Sequence, residues 1–413
     1  MRIVTHHGIL LLLLGSLASC AKSVPPPAAP PPVPAAPAAG AAQDDEAPIL
    51  RPVKRLDGRI LTPEEVAATV ERLMAAGKVP GLALAILNDG EVTYLRGFGF
   101  RNVEKQQPLT AGTIMYAASI TKAMFAYLVM QLVDDGVIDL DKPIAAYLKK
   151  PLPEYEGYGD LAGDERWRKF TARILLSHTS GLPNWSWLTA DKKLHIYYEP
   201  GTRYSYSGEG ITVMQLVVEE ATGRSLDSLM RERVFSRLGM TRTSMLWSSA
   251  FETNYALGYD EEGKVIGHNK RSTVRAAGSA DGDVADMARF LRGVLKGEGL
   301  SAKSRQEMLS PQIRIRSKYQ FPVLSEETTD RDDAIRLSYG LGWGLFWSPY
   351  GKAFFKEGHI DGWENYMVAF DDAKSGLIIM TSSSNGESIF PELLASLLGD
   401  TYTPSVWEHY GKN

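Results

Sequence analysis

Ser119-Ile120-Thr121-Lys122-Ala123-Met124-Phe125-Ala126-Tyr127-Leu128-Val129-Met130 is apolar on every side except for one ammonium group. Such a run predicts a buried helix that ends near Asp134, Asp135 and Gly136. Positions i and i+3 share a helix face with Cβ atoms roughly 5–6 Å apart, so Ser119 and Lys122 can touch. Burying a lysine is costly unless it has a partner. A serine hydroxyl is a weak nucleophile until a neighbouring base takes its proton, and a desolvated amine is such a base. Placing Ser119 at the helix start also points backbone N–H groups at incoming negative charge, half of an oxyanion hole. Ser-x-x-Lys by itself is a weak motif, because helices make this spacing freely. The apolar setting of Lys122 is what singles it out.

Working outward, Thr62-Pro63-Glu64-Glu65 starts a helix with a capping box, and its apolar pattern runs to Ala76 and stops at Gly77. Leu82 to Leu87 and Val92 to Leu95 flank Asn88-Asp89-Gly90, a hairpin signal. Near the other end, Tyr339 to Phe346, Ala353 to Phe355, Tyr366 to Phe370 and Leu377 to Ser382 read as short strands, followed by a helix from Ile389 to Leu398. The middle, from about Ile120 to Arg292, reads mostly as helices and loops, among them Ile211 to Ala221, Leu226 to Leu238 and Val284 to Leu295. Strands at both ends with helices between predict an α/β part plus an all-α part. In that arrangement an antiparallel sheet from the two chain ends is flanked by helices, with a large helical insertion.

Two further stretches carry candidate chemistry. Tyr204-Ser205-Tyr206-Ser207-Gly208 follows the Pro200-Gly201 turn. A tyrosine near a cationic lysine has a lowered pKa and can shuttle protons, although two tyrosines in a loop also serve as packing. Lys356-Glu357-Gly358-His359-Ile360-Asp361-Gly362 lies between two predicted strands, where glycines allow close backbone approach and an edge N–H can complete the oxyanion hole. Otherwise it is a β-turn with a solvated histidine. His178, His195, His268, His359 and His409 show no metal-ligand spacing, so neither metal nor cofactor is expected.

These three elements, in this order, resemble the serine β-lactamase-related family, which includes class C β-lactamases, D-alanyl-D-alanine carboxypeptidases and related esterases. Leu175-Leu176-Ser177-His178-Thr179-Ser180-Gly181-Leu182-Pro183, Pro200 to Ser207 and Tyr339-Gly340-Leu341-Gly342-Trp343 are similar to further family segments, and the resemblance covers about Thr62 to Leu398. It implies Ser119 as acylated nucleophile, Lys122 as its partner and Tyr206 as the tyrosine of the family's Tyr-x-Asn motif. His359 falls where the family has Lys-Thr-Gly or His-x-Gly on the strand lining the site. Two positions depart from the pattern. The family asparagine is Gly208, and Asp361 stands two residues after His359, with glycine only at Gly362. The first removes a polar contact to a substrate amide, and the second puts a carboxylate near the pocket that repels a substrate carboxylate unless Lys356 offsets it. Both weaken the case for β-lactam hydrolysis and favour a carboxylic ester or small amide over a β-lactam, an activity of esterase or D-amino-acid peptidase type. An α/β-hydrolase lacks its Gly-x-Ser-x-Gly elbow here, and a non-catalytic binding protein of the cell envelope is the alternative of another class.

The first 20 residues, with Arg2, the apolar run Ile9 to Leu14 and Leu17-Ala18-Ser19-Cys20, read as a secretory signal. Cys20 is the only cysteine, and it sits where a lipobox places its lipidated residue. Residues 21–48 are mostly Pro and Ala and read as an extended spacer, leaving 49–413 as the folded domain. Together they predict an exported bacterial lipoprotein, held at a membrane through Cys20. The formal net charge of −4 among 413 residues, with no basic block, argues against a nucleic-acid partner.

Overall fold

The computed structural model describes residues 46–410; Cys20, the predicted leader and most of the spacer lie outside them. Thr62 caps α1 (Pro63–Gly77), and its N–H donates to the Glu65 carboxylate at 2.8 Å, closing the predicted capping box. The left-handed residue that ends α1 is Lys78, with φ +56°, not the glycine. Gly77 is small for packing: a Cβ there would lie 2.5 Å from Ile389 Cγ2.

The hairpin follows as strands β1 (Gly81–Asn88) and β2 (Glu91–Asn102). Asp89 and Gly90 both have positive φ (+52° and +74°), the type I′ geometry that matches strand twist. At the far end of the chain come β3 (Gly344–Ser348), β4 (Gly351–Ile360), β5 (Trp363–Phe370) and β6 (Ser375–Thr381). The two chain ends meet as β1 against β6, antiparallel, with Leu87 opposite Gly376 and Leu82 opposite Thr381. The sheet runs Ile49–Leu50, β2, β1, β6, β5, β4, β3, Ser338–Tyr339, Ile313–Arg314, antiparallel throughout. The predicted strand from Tyr339 to Phe346 is two strands, because Gly340 to Trp343 turn back and pair within themselves (Gly340 N–H to Trp343 O, 2.8 Å).

Alternation along the strands divides the core in two. Ala83, Ala85, Leu87, Phe354, Met367 and Ile378 face one side, with α2 (Ile120–Asp134), α3 (Gly208–Thr222) and α4 (Val284–Lys296). Leu82, Leu84, Ile86, Phe355, Val368 and Ile379 face the other, with α1 and the helical run Gly386–Leu398. Every residue of α2 from Ile120 to Leu132 is buried. Full burial of each large apolar side chain contributes about 1.5–3 kcal/mol, enough in sum to offset the desolvation of one lysine among them.

Candidate active site

The site starts at a strained residue. Ala118 has φ +48°, a left-handed conformation that costs a non-glycine residue about 1–3 kcal/mol. A staple to residues 277–281 holds it. Ala117 N–H donates to Ala280 O at 3.0 Å, Ala280 N–H donates to Thr121 Oγ1 at 3.1 Å, and Thr121 Oγ1–H donates to Ala118 O at 2.6 Å. Ser119 is thereby set at the first turn of α2, its side chain free of any cap bond and partly exposed.

Its Oγ lies 2.8 Å from Lys122 Nζ, and Nζ donates to Ala277 O at 2.6 Å. Lys122 is 1 % exposed. Burial, and secondarily the Lys356 charge, hold its pKa well below the usual 10.5, against a weaker opposing pull from Glu357. A neutral Lys122 can accept the Ser119 proton.

Tyr206 completes the group from the segment before α3. Lys122 Nζ and Lys356 Nζ each lie 4.9 Å from its ring centre, and Lys356 Nζ donates to its hydroxyl at 3.2 Å. The expected lowering of the Tyr206 pKa is overturned. Burial first, and Glu357 second, push it well above 10, outweighing the Ser119 hydroxyl that acts the other way. The cation expected beside it, Lys122, is one whose charged form burial disfavours, and Glu357 pairs with Lys356. Tyr206 is a neutral phenol, a proton relay and not a standing phenolate.

The third stretch is arranged differently from the carry-over. Lys356 and Gly358 share one face of β4, Glu357 and His359 the other. A Cβ on Gly358 would meet Ala117 O at 2.6 Å and Ile120 Cγ1 at 3.3 Å, so the Lys356 face is the one turned to Ser119's helix. Past Phe355, β4 has no β3 partner, which leaves its edge open. His359 is therefore not brought to Ser119. It is half-exposed, bonds Glu387 at 2.9 Å, and lies 3.8 Å from Glu364. The Glu387 hydrogen bond, with the nearby carboxylates, holds His359 up at about 9, so the cluster is accounted for as an ion group. The three donor atoms do gather within 4.8 Å, a grouping that spacing in the sequence does not show. Asp361 sits in the exposed turn from β4 to β5, and Gly362, at φ +79°, closes that turn with its N–H donating to Ser384 Oγ at 2.7 Å.

Three residues near the group carry roles that sequence patterns alone do not assign. Lys356, a counter-charge by sequence, is marked by its Lys-x-Gly spacing. Glu357 pairs with Lys356 and accepts from Gln320 Nε2 at 3.1 Å. His178, at φ +56°, packs its ring 4.4 Å from that of Tyr206 and accepts from Ser207 N–H at 3.2 Å. Burial first, and the Lys356 charge second, hold its pKa well below 6.5, so it positions Tyr206 without competing for protons.

Gly208 has a steric cause. A Cβ there would lie 2.6 Å from Trp185 Cη2 and Cζ2 and 2.9 Å from Asn184 O. An indole wall stands where a side chain at 208 would project. Gly208→Ala is expected to displace Trp185 and destabilise the fold by about 1–3 kcal/mol. In a Trp185→Leu background the same change should cost less than half as much, which a double-mutant cycle of thermal or urea unfolding measures.

With this geometry in view, the family model described as "Beta-lactamase" matches residues 66–397, and the chain belongs to that family. It is similar to penicillin-binding protein 4* of Bacillus subtilis, 24 % identical over 71 % of this chain and 66 % of that one. It is also similar to a D-aminopeptidase of Gluconobacter oxydans, 27 % identical over 47 % of this chain and 38 % of that one. The chain thus spans less than two thirds of the length of these relatives. Among solved structures, an octameric penicillin-binding protein homologue from Pyrococcus abyssi aligns over 83 % of this chain and 78 % of its own, with a TM-score of 0.66 at 23 % identity, a likeness of fold.

Proposed function

We propose that this chain is an exported serine hydrolase that works through an acyl-enzyme on a carboxylic ester or small amide. The observation that carries it is the Ser119 Oγ–Lys122 Nζ contact of 2.8 Å, with the lysine buried and its charged form disfavoured. Lys122 takes the Ser119 proton as Oγ attacks the carbonyl carbon. The developing oxyanion is received by the Ser119 N–H at the start of α2 and by an N–H on the open edge of β4. The proton returns to the departing oxygen or nitrogen through Tyr206, and a water then reverses the sequence to release the acid.

The preference for an ester or small amide rests on Gly208, which gives no amide contact and is walled by Trp185. Asp361, exposed in its turn, adds little to it. A substrate bearing a carboxylate, as a β-lactam or D-amino-acid peptide does, is the second reading, and buried Lys356 beside Tyr206 favours it. The pairing of Lys356 with Glu357 spends that charge locally. In the proposed organisation residues 1–20 are a lipoprotein signal, Cys20 carries the lipid, 21–48 are a spacer and 49–413 the hydrolase domain.

Incubating residues 49–413 with a fluorophosphonate is expected to add one adduct mass at Ser119, absent from Ser119→Ala. Penicillin acylation at the same residue would move the assignment to the carboxylate-bearing substrates. No adduct with either reagent would leave a binding protein that keeps the fold.

A further inference from the structure

A groove of about 590 Å³ opens beside the catalytic group, lined by Trp185, Leu188, Phe321, Pro322, Val323 and Leu324, with Asn184, Thr189 and His409 among its polar margins. Among the described residues no Asp, Glu, Lys or Arg lines it. Both walls end on the reacting residues. The Trp185 ring centre is 5.9 Å from Lys122 Nζ, and the Phe321 ring packs edge-on, 5.7 Å from that of Tyr206.

The walls are fixed by the segment that carries Tyr206. On one side Ser205 Oγ–H donates to Val323 O at 3.0 Å and Tyr198 Oη–H donates to Leu324 O at 2.9 Å. On the other, Gly208 N–H donates to Asn184 Oδ1 at 3.0 Å, Glu209 N–H donates to Asn184 O at 3.1 Å, and Ser186 N–H donates to Glu209 Oε1 at 2.8 Å. Trp185 stacks on Trp187 at 4.7 Å. The groove therefore exists before anything binds, and little ordering cost is left for its occupant. Its mouth carries Leu188, 68 % exposed, and Phe321, 38 % exposed, an apolar surface left open to water.

We infer that this groove holds an uncharged apolar group of the substrate, an alkyl chain or aryl ring of the ester, and that it sets substrate preference; this rests on the hydrolase reading above. Among the described residues the lining offers no Asp, Glu, Lys or Arg to pair with a carboxylate or ammonium, so an uncharged group suits it best. The indole over Gly208 replaces a polar contact by an apolar one at the point where the groove meets Ser119's neighbours. Each methylene that enters should raise kcat/KM about fourfold until the groove is filled.

Two ester series test it on residues 49–413: p-nitrophenyl acetate to octanoate, and ethyl to hexyl acetate. A graded rise in the first places the acyl chain in the groove, and one in the second places the alcohol there; either supports the proposal. Turnover that is flat with chain length in both series overturns the groove proposal alone. No turnover together with no fluorophosphonate adduct at Ser119 overturns the hydrolase reading and the groove with it. Leu188→Glu, at an exposed position compatible with folding, should cut the gain per methylene to below twofold. A slope unchanged in both Leu188→Glu and Phe321→Ser assigns the selectivity elsewhere and overturns the proposal.

Discussion

Replacing Lys122 by methionine is expected to slow acylation of Ser119 by about 10²–10⁴-fold, the usual contribution of a positioned general base. Among the described residues, two other polar side chains near this group are poor acceptors for the Ser119 proton. Tyr206 is a neutral phenol, and His178 is buried with its Nδ1 committed to the Ser207 N–H. The variant should still fold. Methionine keeps the length and removes the burial of a polar amine, a cost of about 1–3 kcal/mol. It also leaves Ala277 O without the donor it now has, a loss of about 1–3 kcal/mol. The two nearly cancel, and Tm should stay within about 5 °C of the parent.

The pH profile gives the sign of the lysine's role. Only the neutral amine accepts the serine proton, and its pKa is lowered, so acylation should rise with pH through a limb lying well below 10.5 and lose that limb in Lys122→Met. Linkage runs the same way. Between the lowered folded-state pKa and the ordinary unfolded value, the unfolded chain binds the extra proton, so this residue weakens the fold there and the deficit shrinks as pH rises. Time-resolved mass spectrometry of fluorophosphonate labelling across pH measures the limb. Labelling by Lys122→Met within tenfold of the parent rate would remove the lysine from the chemistry.

Period and turn chemistry made much of the fold legible before any coordinates. The Thr62–Glu65 capping box, the Asp89-Gly90 turn and the largely apolar α2 are local signals, and each is where the residues placed it. Pairing of β1 with β6 is not local. It joins residues nearly three hundred apart, and no single-strand pattern encodes a partner. The contact of Ser119 with Lys122 followed from helix geometry alone. The third element turns on strand parity. His359 carries titratable chemistry and two flanking glycines, but only alternation along β4, anchored by Gly358 against Ala117, decides that Lys356 is the side chain on Ser119's face. The Tyr206 pKa failed for a related reason. A nearby cation lowers a phenol only while it remains a cation with charge to spare; burial works against the first condition at Lys122 and Glu357 against the second at Lys356.

Lys356→Met is expected to destabilise the protein by about 3–5 kcal/mol, because it strands the Glu357 carboxylate, 5 % exposed, with Gln320 as its remaining donor. Removing both charges in Lys356→Met/Glu357→Met should recover most of that loss, since the penalty belongs to the unpaired ion and not to the missing pair. Urea unfolding of the two variants separates these terms. Their kinetics carry a second, independent sign. Lys356 is one of the groups that hold the Lys122 pKa down, and Glu357 pulls it up. Lys356→Met should therefore move the acid limb of acylation to higher pH, and Glu357→Gln should move it to lower pH. In the double variant the limb should return toward the parent position, because the two influences leave together. A limb that does not move in either single variant would make Lys356–Glu357 a purely structural pair, and the electrostatic tuning of Lys122 would then rest on burial alone.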